Sequence, residues 1–300
     1  MRTFIENNFG LVLILSCVVG LLSPQLAALP DVSASISLAM LTYAACFKLK
    51  DGKFGEIRWL NILYFYILRY LILPVILFLI TKEFFSQYAV GIFLLAMLPT
   101  AVSSPAFAGM FGGKVPPAFA IVILSTILAP FVIPLQCSLF IHDANIAPSP
   151  LPLFKTLAFC VFVPMLAYFT TRGIKKIEAS VYQNVKIISI ILVAFVIALV
   201  IAKQREFILA NSGELIFPIF LTLLCYVVFI ACGWVFAKNQ SRENRISITT
   251  CSAFNNVALG VSIALLHFPQ DVILFIAVSE MSWAMLPIMF SLFLKKISNG

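Results

Sequence analysis

Pro99-Thr100-Ala101-Val102-Ser103-Ser104-Pro105 falls inside an apolar run otherwise long enough to cross a bilayer. A second stretch, Cys251-Ser252-Ala253-Phe254-Asn255-Asn256, interrupts another such run in the same way. Proline donates no backbone hydrogen bond, and its ring clashes with a preceding carbonyl. In hydrocarbon the freed backbone groups are costly unless protein or a water-filled cavity satisfies them. Two such breaks predict a polar interior within a membrane protein. Their places, in the fourth and ninth apolar runs, predict internal duplication with a binding site where the breaks meet.

Composition agrees with a bilayer as solvent. Hydrophobic residues make up 62% of the 300 residues, charged residues 11%, and mean hydropathy is +1.08. A soluble domain carries about 25% charge. The net charge of +8 does not point to nucleic acid, because the basic residues sit in short loops with no basic stripe or aromatic platform. Crossings of about 20 residues divide the chain into ten segments, near 9–28, 32–48, 61–81, 87–111, 116–141, 151–172, 186–203, 214–237, 246–267 and 271–294. The first resembles a signal peptide, with Arg2 before it and Ala27-Ala28 after, but removing it would unbalance the two halves.

Counting Lys and Arg by loop orients the spans. Fifteen fall on one side, among them Lys48, Lys50, Lys53, Arg58, Arg172, Lys175, Lys176 and Lys186. The opposite side holds four: Lys82, Lys155, Lys203 and Arg205. Both termini are therefore expected in the cytoplasm of an inner (plasma) membrane protein. Five spans per half then insert the second half upside down, giving a 5+5 inverted repeat. Its halves are 1–145 and 146–300, divided in the loop from His142 to Pro150.

A half-helix starting near Ser104 would turn its amides toward the bilayer centre, which suits an anion. Ser103, Ser104, Pro105, Asn255 and Asn256 are the candidate substrate-binding residues. A plain proline kink, with the serines bonding back to carbonyls, is the alternative. Two ionisable residues, Arg69 and Glu280, lie about nine residues into spans three and ten, near the midplane at about 1.5 Å per residue. Charges at that depth mark function by default. Arg69 is expected to bind substrate or, paired with Glu280, to couple transport; the alternative is an ion pair that locks two helices. The seven cysteines are scattered through apolar runs without a CxxC, and read as core residues rather than disulfides or metal ligands. No HExxH, Walker, GxSxG or GxGxxG pattern supports an enzyme or a cofactor.

Leu73-Pro74, Leu98-Pro99-Thr100 through Ser104, Leu124 through Pro130, Asn255-Asn256 through His267-Phe268 and the Ala39-Met40 to Phe54 stretch resemble the bile acid:sodium symporter family over nearly the whole chain. Auxin-efflux-type and arsenite carriers share the related architecture. The resemblance implies an all-α fold of ten helices. Helices one, two, six and seven form a panel; three to five and eight to ten form a core in which unwound helices four and nine cross. Organic anions are the implied substrates, moving between panel and core. The sodium positions carry over poorly. Ser104, Ala118, Val122, Cys251 and Asn255 align with the family's ligands, with Cys251 in place of an acid and Arg69 in place of a glutamine. Sodium needs several hard oxygens, so this set predicts weak or no sodium binding.

A secondary carrier for a small organic anion, by alternating access and without sodium, is the reading these residues favour, with a monomer in the bilayer as the working unit. A sodium-coupled bile acid-type symporter and a non-transporting receptor on the same scaffold are the alternatives. An intramembrane enzyme lacks a base beside Ser104 or Cys251, and a channel lacks a ring of like charges.

Overall fold

Apolar runs without a strand-like alternation become helices throughout the described residues. The computed structural model describes residues 9–30, 32–47, 58–143, 146–203, 205–210 and 212–298. Arg2, Lys48, Lys50 and Lys53 of the charge count, Phe54 and the division at 145/146 lie outside those residues. The helices are α1 (Phe9–Leu22), α2 (Val32–Cys46), α3 (Trp59–Phe84), α4 (Ser86–Met97), α5 (Ser104–Met110), α6 (Val115–Phe140) and α7 (Pro150–Thr171). There follow α8 (Lys175–Lys203), α9 (Arg205–Ala210), α10 (Ile216–Phe236), α11 (Arg242–Ala253), α12 (Val257–His267) and α13 (Gln270–Ser298). Among the described residues there is no strand, and one isolated antiparallel pairing joins Thr100 to Asn255.

Five of these helices are each long and apolar enough to cross a bilayer unaided: α3, α6, α7, α10 and α13. Large apolar side chains turn outward, with Leu22, Phe84 and Ile216 exposed by 76, 74 and 71%. Water would penalise that surface and lipid does not. The chain is an all-α, multi-pass membrane protein.

Two boundaries differ from those read in the sequence. The second break is narrower: Cys251 and Ser252 remain helical, and Phe254, Asn255 and Asn256 alone separate α11 from α12. The hydroxyls explain this, since Thr250 bonds back to Ile246 O at 2.8 Å and Ser252 donates to Phe229 O at 2.6 Å without breaking the ladder. The basic stretch 172–186, read as a loop, is helical from Lys175. Ile177, Val181 and Tyr182 share one face there and pack on Cys46, Phe47 and Tyr168, which favours continuing the helix.

The chain forms two compact units, each drawing on both halves of the sequence. One comprises Met1–Asp51, Pro130–Ile216 and Ala258–Ala277. Within it α1 meets α8 at Gly20, where a Cβ would lie 2.5 Å from Ala198 O, so only glycine admits the approach. Ser35 and Ser262 bond through their hydroxyls at 2.6 Å, and Lys203 Nζ holds Leu29 O at 2.6 Å. Arg205 Nε likewise donates to Leu21 O at 2.8 Å, satisfying the last turn of α1.

The other unit comprises Gly52–Ala129, Phe217–Val257 and Val278–Gly300. Its α10 and α11 close on Gly233, where a Cβ would fall 2.7 Å from both Ser252 Cβ and Thr249 Cα. Phe107, Phe254, Trp283 and Phe290 form a ring cluster beside the breaks, with Phe107 and Phe254 centroids 4.7 Å apart. This second unit contains every candidate site residue.

Candidate functional site

The site begins with a backbone irregularity. Pro74 has no N–H for the carbonyl four residues earlier, and residues Ile67–Ile72 of α3 widen into a π-turn, with Leu73 N donating to Leu68 O. An ordinary helix sets adjacent side chains about 100° apart. The widened turn instead lets both Arg69 and Tyr70 face inward, at 0 and 1% exposure. Such turns recur at functional sites.

The two breaks meet back to back. Ala101 N donates to Phe254 O and Asn256 N to Pro99 O, both at 2.7 Å. Thr100 and Asn255 thus form a narrow antiparallel pair within the membrane protein's interior. Each break supplies the donors and acceptors the other lacks, so the backbone groups freed by Pro99 and by the end of α11 are not left bare. Ser104 Oγ adds a bond to Phe254 O at 3.2 Å. Around the pair, the Tyr70 and Thr100 hydroxyls bond to one another and both reach Cys251 O at 3.0 Å. Ser125 Oγ accepts from Thr100 N at 3.2 Å.

Arg69 ties these pieces together. Its Nε donates to Ser252 O at 2.9 Å, one terminal nitrogen to Ala96 O at 2.8 Å, and the other to Asn255 Oδ1 at 3.0 Å. Asn255 can face only one way, because its Nδ2 donates to Leu95 O at 2.6 Å. The guanidinium plane lies 3.9 Å from the Phe229 ring centroid, so carbon and π density cover the face its donors do not use. The last turn of helix before the first break, the last turn before the second, and the second break itself are all bound to one side chain.

The Arg69–Glu280 ion pair expected from the sequence does not form. Arg69's acceptors are two backbone carbonyls and a carboxamide, while Glu280, 6% exposed, keeps Oε1 without a hydrogen-bond partner. Geometry decides against the pair: the π-turn aims the fork at the crossing, where neutral oxygens lie close and already aligned. Nor is Arg69 open to a solute in this conformation, being fully buried.

The expected anion cradle at the start of α5 is also used internally. Ser104 N donates to Ala101 O at 2.9 Å, Ala106 N to Ser103 O at 3.0 Å, Phe107 N shares Ser103 O, and Pro105 has no N–H. α5 is only seven residues long, so its dipole adds little. Ser103 is the exposed polar residue of this break; Ser104, Pro105 and Asn255 are buried, and Asn256 is 8% exposed.

At the positions aligned with sodium ligands, Ser104 and Asn255 are the side chains bearing oxygen, and both are engaged as described. Ala118 and Val122 offer only backbone carbonyls, which accept from the Cys251 thiol at 3.7 Å and Ser125 Oγ at 3.2 Å. A hard cation needs a set of free oxygens, and this set does not fit one. Tyr70 and Phe229 lie outside the stretches the sequence singles out, and Thr100 and Ser125 lie within them without a site role. A tyrosine next to a buried arginine, one turn before a proline, was the available signal.

Paired unwound spans fastened across a polar interior define the scaffold of a multi-pass membrane transporter. Residues 32–211 match the model of the Sodium Bile acid symporter family, and the chain belongs to that family. It is 25% identical over 273 residues, covering 88% of this chain and 84% of the other, to the "Uncharacterized sodium-dependent transporter YocS" of Bacillus subtilis (strain 168). It is 22% identical over 190 residues, 61% of this chain and 60% of the other, to the "Uncharacterized protein YbaS" of the same organism.

Proposed function

We propose that this chain is a secondary carrier that moves a small organic anion across the plasma membrane by alternating access, and that it runs without sodium. Its ten spans form a 5+5 inverted repeat with both termini in the cytoplasm. Family membership supports a carrier. The observation that carries the finer reading is Arg69: a guanidinium fastened to three oxygens at the crossing, with no carboxylate beside it among the described residues. A fixed cation there supplies positive charge in place of a bound alkali ion. It also leaves the crossing net positive, which attracts an anion.

Ser103 at the exposed edge and Asn256 are the side chains proposed to meet the substrate. Ser104, Pro105 and Asn255 hold the shape of the break, and Arg69 acts through Asn255. Catalysis is not supported, since Ser104 donates to a carbonyl and the Cys251 thiol points at Ala118 O. The name of the Bacillus relative favours sodium coupling as the second reading.

Counterflow in proteoliposomes tests the proposal. Vesicles loaded with an unlabelled carboxylate, sulfonate or bile acid should accumulate the labelled form only when the protein is present. No accumulation of any member of such a panel, by protein shown to be folded, would leave a receptor as the better reading.

A further inference from the structure

With Arg69 committed elsewhere, Glu280 has no counter-ion among the described residues. The α13 residues around it fasten that helix to α10: Tyr226 Oη donates to Ser279 O at 3.3 Å, and the Thr222 and Ser282 hydroxyls bond at 2.6 Å. Glu280 itself makes no such bond through Oε1.

Among the described residues, the charged and titratable groups around it are few. Tyr226 of α10 lies within electrostatic reach of both Glu280 and Arg69. α5, which reaches α13 through Phe107 and Trp283, carries no titratable residue. From the second break comes Phe254, which meets the Trp283 ring edge to face with centroids 5.8 Å apart and brings no titratable group. Along α13, Asp271 and Lys295 lie about 13 and 22 Å away at the helical rise of about 1.5 Å per residue.

An ionised carboxylate with a bare lone pair and no cation is the disfavoured form of such a group; the neutral acid is the favoured one.

We propose that Glu280 is a proton-binding site and that its proton is the coupling ion of this carrier. The second half rests on the carrier reading above; the first does not. In the resting state the carboxyl holds its proton. When conformational change admits water, the O–H bond breaks, the proton passes to water as hydronium, and the carboxylate is left until a proton returns from the other side. One proton moving with one monoanion is electroneutral, so substrate flux follows the pH gradient.

Two measurements separate the claims. Infrared difference spectra of the purified full-length protein in lipid, titrated from acid to alkaline pH, should show a protonated-carboxyl C=O band. Glu280→Gln should lack it, and Glu280→Asp should shift it. A band set identical in wild type and both variants overturns the proton site. Because this readout needs no substrate, it decides the site even if no anion is transported.

In proteoliposomes that transport a carboxylate, an inward acid gradient of one pH unit should raise the accumulation ratio about tenfold. Glu280→Gln should bring that ratio to that of ungradiented vesicles. A Glu280→Gln protein whose accumulation still follows the gradient overturns the coupling role. Should Glu280→Gln fail to fold, the Glu280→Asp band and its gradient response decide both claims.

Discussion

Replacing Arg69 by methionine should cost more stability than its single charge suggests. Methionine keeps most of the stem and its contact with Phe229, so little volume is lost. It leaves Ser252 O, Ala96 O and Asn255 Oδ1 without donors at fully buried positions. Each stranded acceptor costs about 1–3 kcal/mol. Relief of the guanidinium's own desolvation offsets part of that sum. A net loss of about 3–5 kcal/mol results when that relief is set against three stranded acceptors. At about 2–4 °C per kcal/mol for a chain of this size, melting falls by roughly 10 °C.

Buried cysteines provide the assay. Cys160, Cys225 and Cys251 are enclosed in the folded protein, so a thiol-reactive fluorophore reports unfolding of purified protein on heating. Arg69→Lys should fall between wild type and methionine, because one ammonium cannot serve three acceptors in fork geometry. Melting of Arg69→Met within a degree of wild type would refute the view that Arg69 fastens the crossing. Lysine equal to wild type would refute the fork geometry.

Further outcomes follow from particular contacts. Gly233→Ala places a methyl 2.7 Å from Ser252 Cβ and Thr249 Cα, and should destabilise by about 1–3 kcal/mol in the same melting assay. Tyr70→Phe removes the hydroxyl shared with Thr100 and Cys251 O, and should cost about 1–2 kcal/mol there. In a background without native cysteines, Thr100→Cys with Asn255→Cys should form a disulfide under mild oxidation, seen as a linked peptide pair by mass spectrometry. Narrow antiparallel pairs hold Cα atoms about 4.5 Å apart, inside the disulfide range. Cysteines introduced at Ile146 and Glu178 should be labelled from opposite sides of the membrane; labelling of both from one side contradicts the inverted repeat.

The breaks were legible because their signals are local. Prolines, serines and paired asparagines inside apolar runs have few uses other than satisfying one another, and the structure pairs Pro99-Thr100-Ala101 with Phe254-Asn255-Asn256 residue by residue. That Arg69 and Glu280 would be buried inside apolar spans was legible for the same reason. Their partners were not. Charge arithmetic pairs a cation with the acid at equal depth, but it does not see backbone carbonyls, and Ser252 O and Ala96 O won the guanidinium. The π-turn that aims Arg69 leaves no mark beyond Pro74. The extent of α8 was missed because Lys175 and Lys176 read as loop charges, while the stabilising contacts of Ile177, Val181 and Tyr182 come from residues far away in sequence.

Initial uptake of a transported anion into proteoliposomes, measured with sodium and then with potassium or choline in its place, tests the central claim most directly. With Arg69 filling the crossing, the three rates should agree. Severalfold faster uptake in sodium by the wild-type protein would contradict the account.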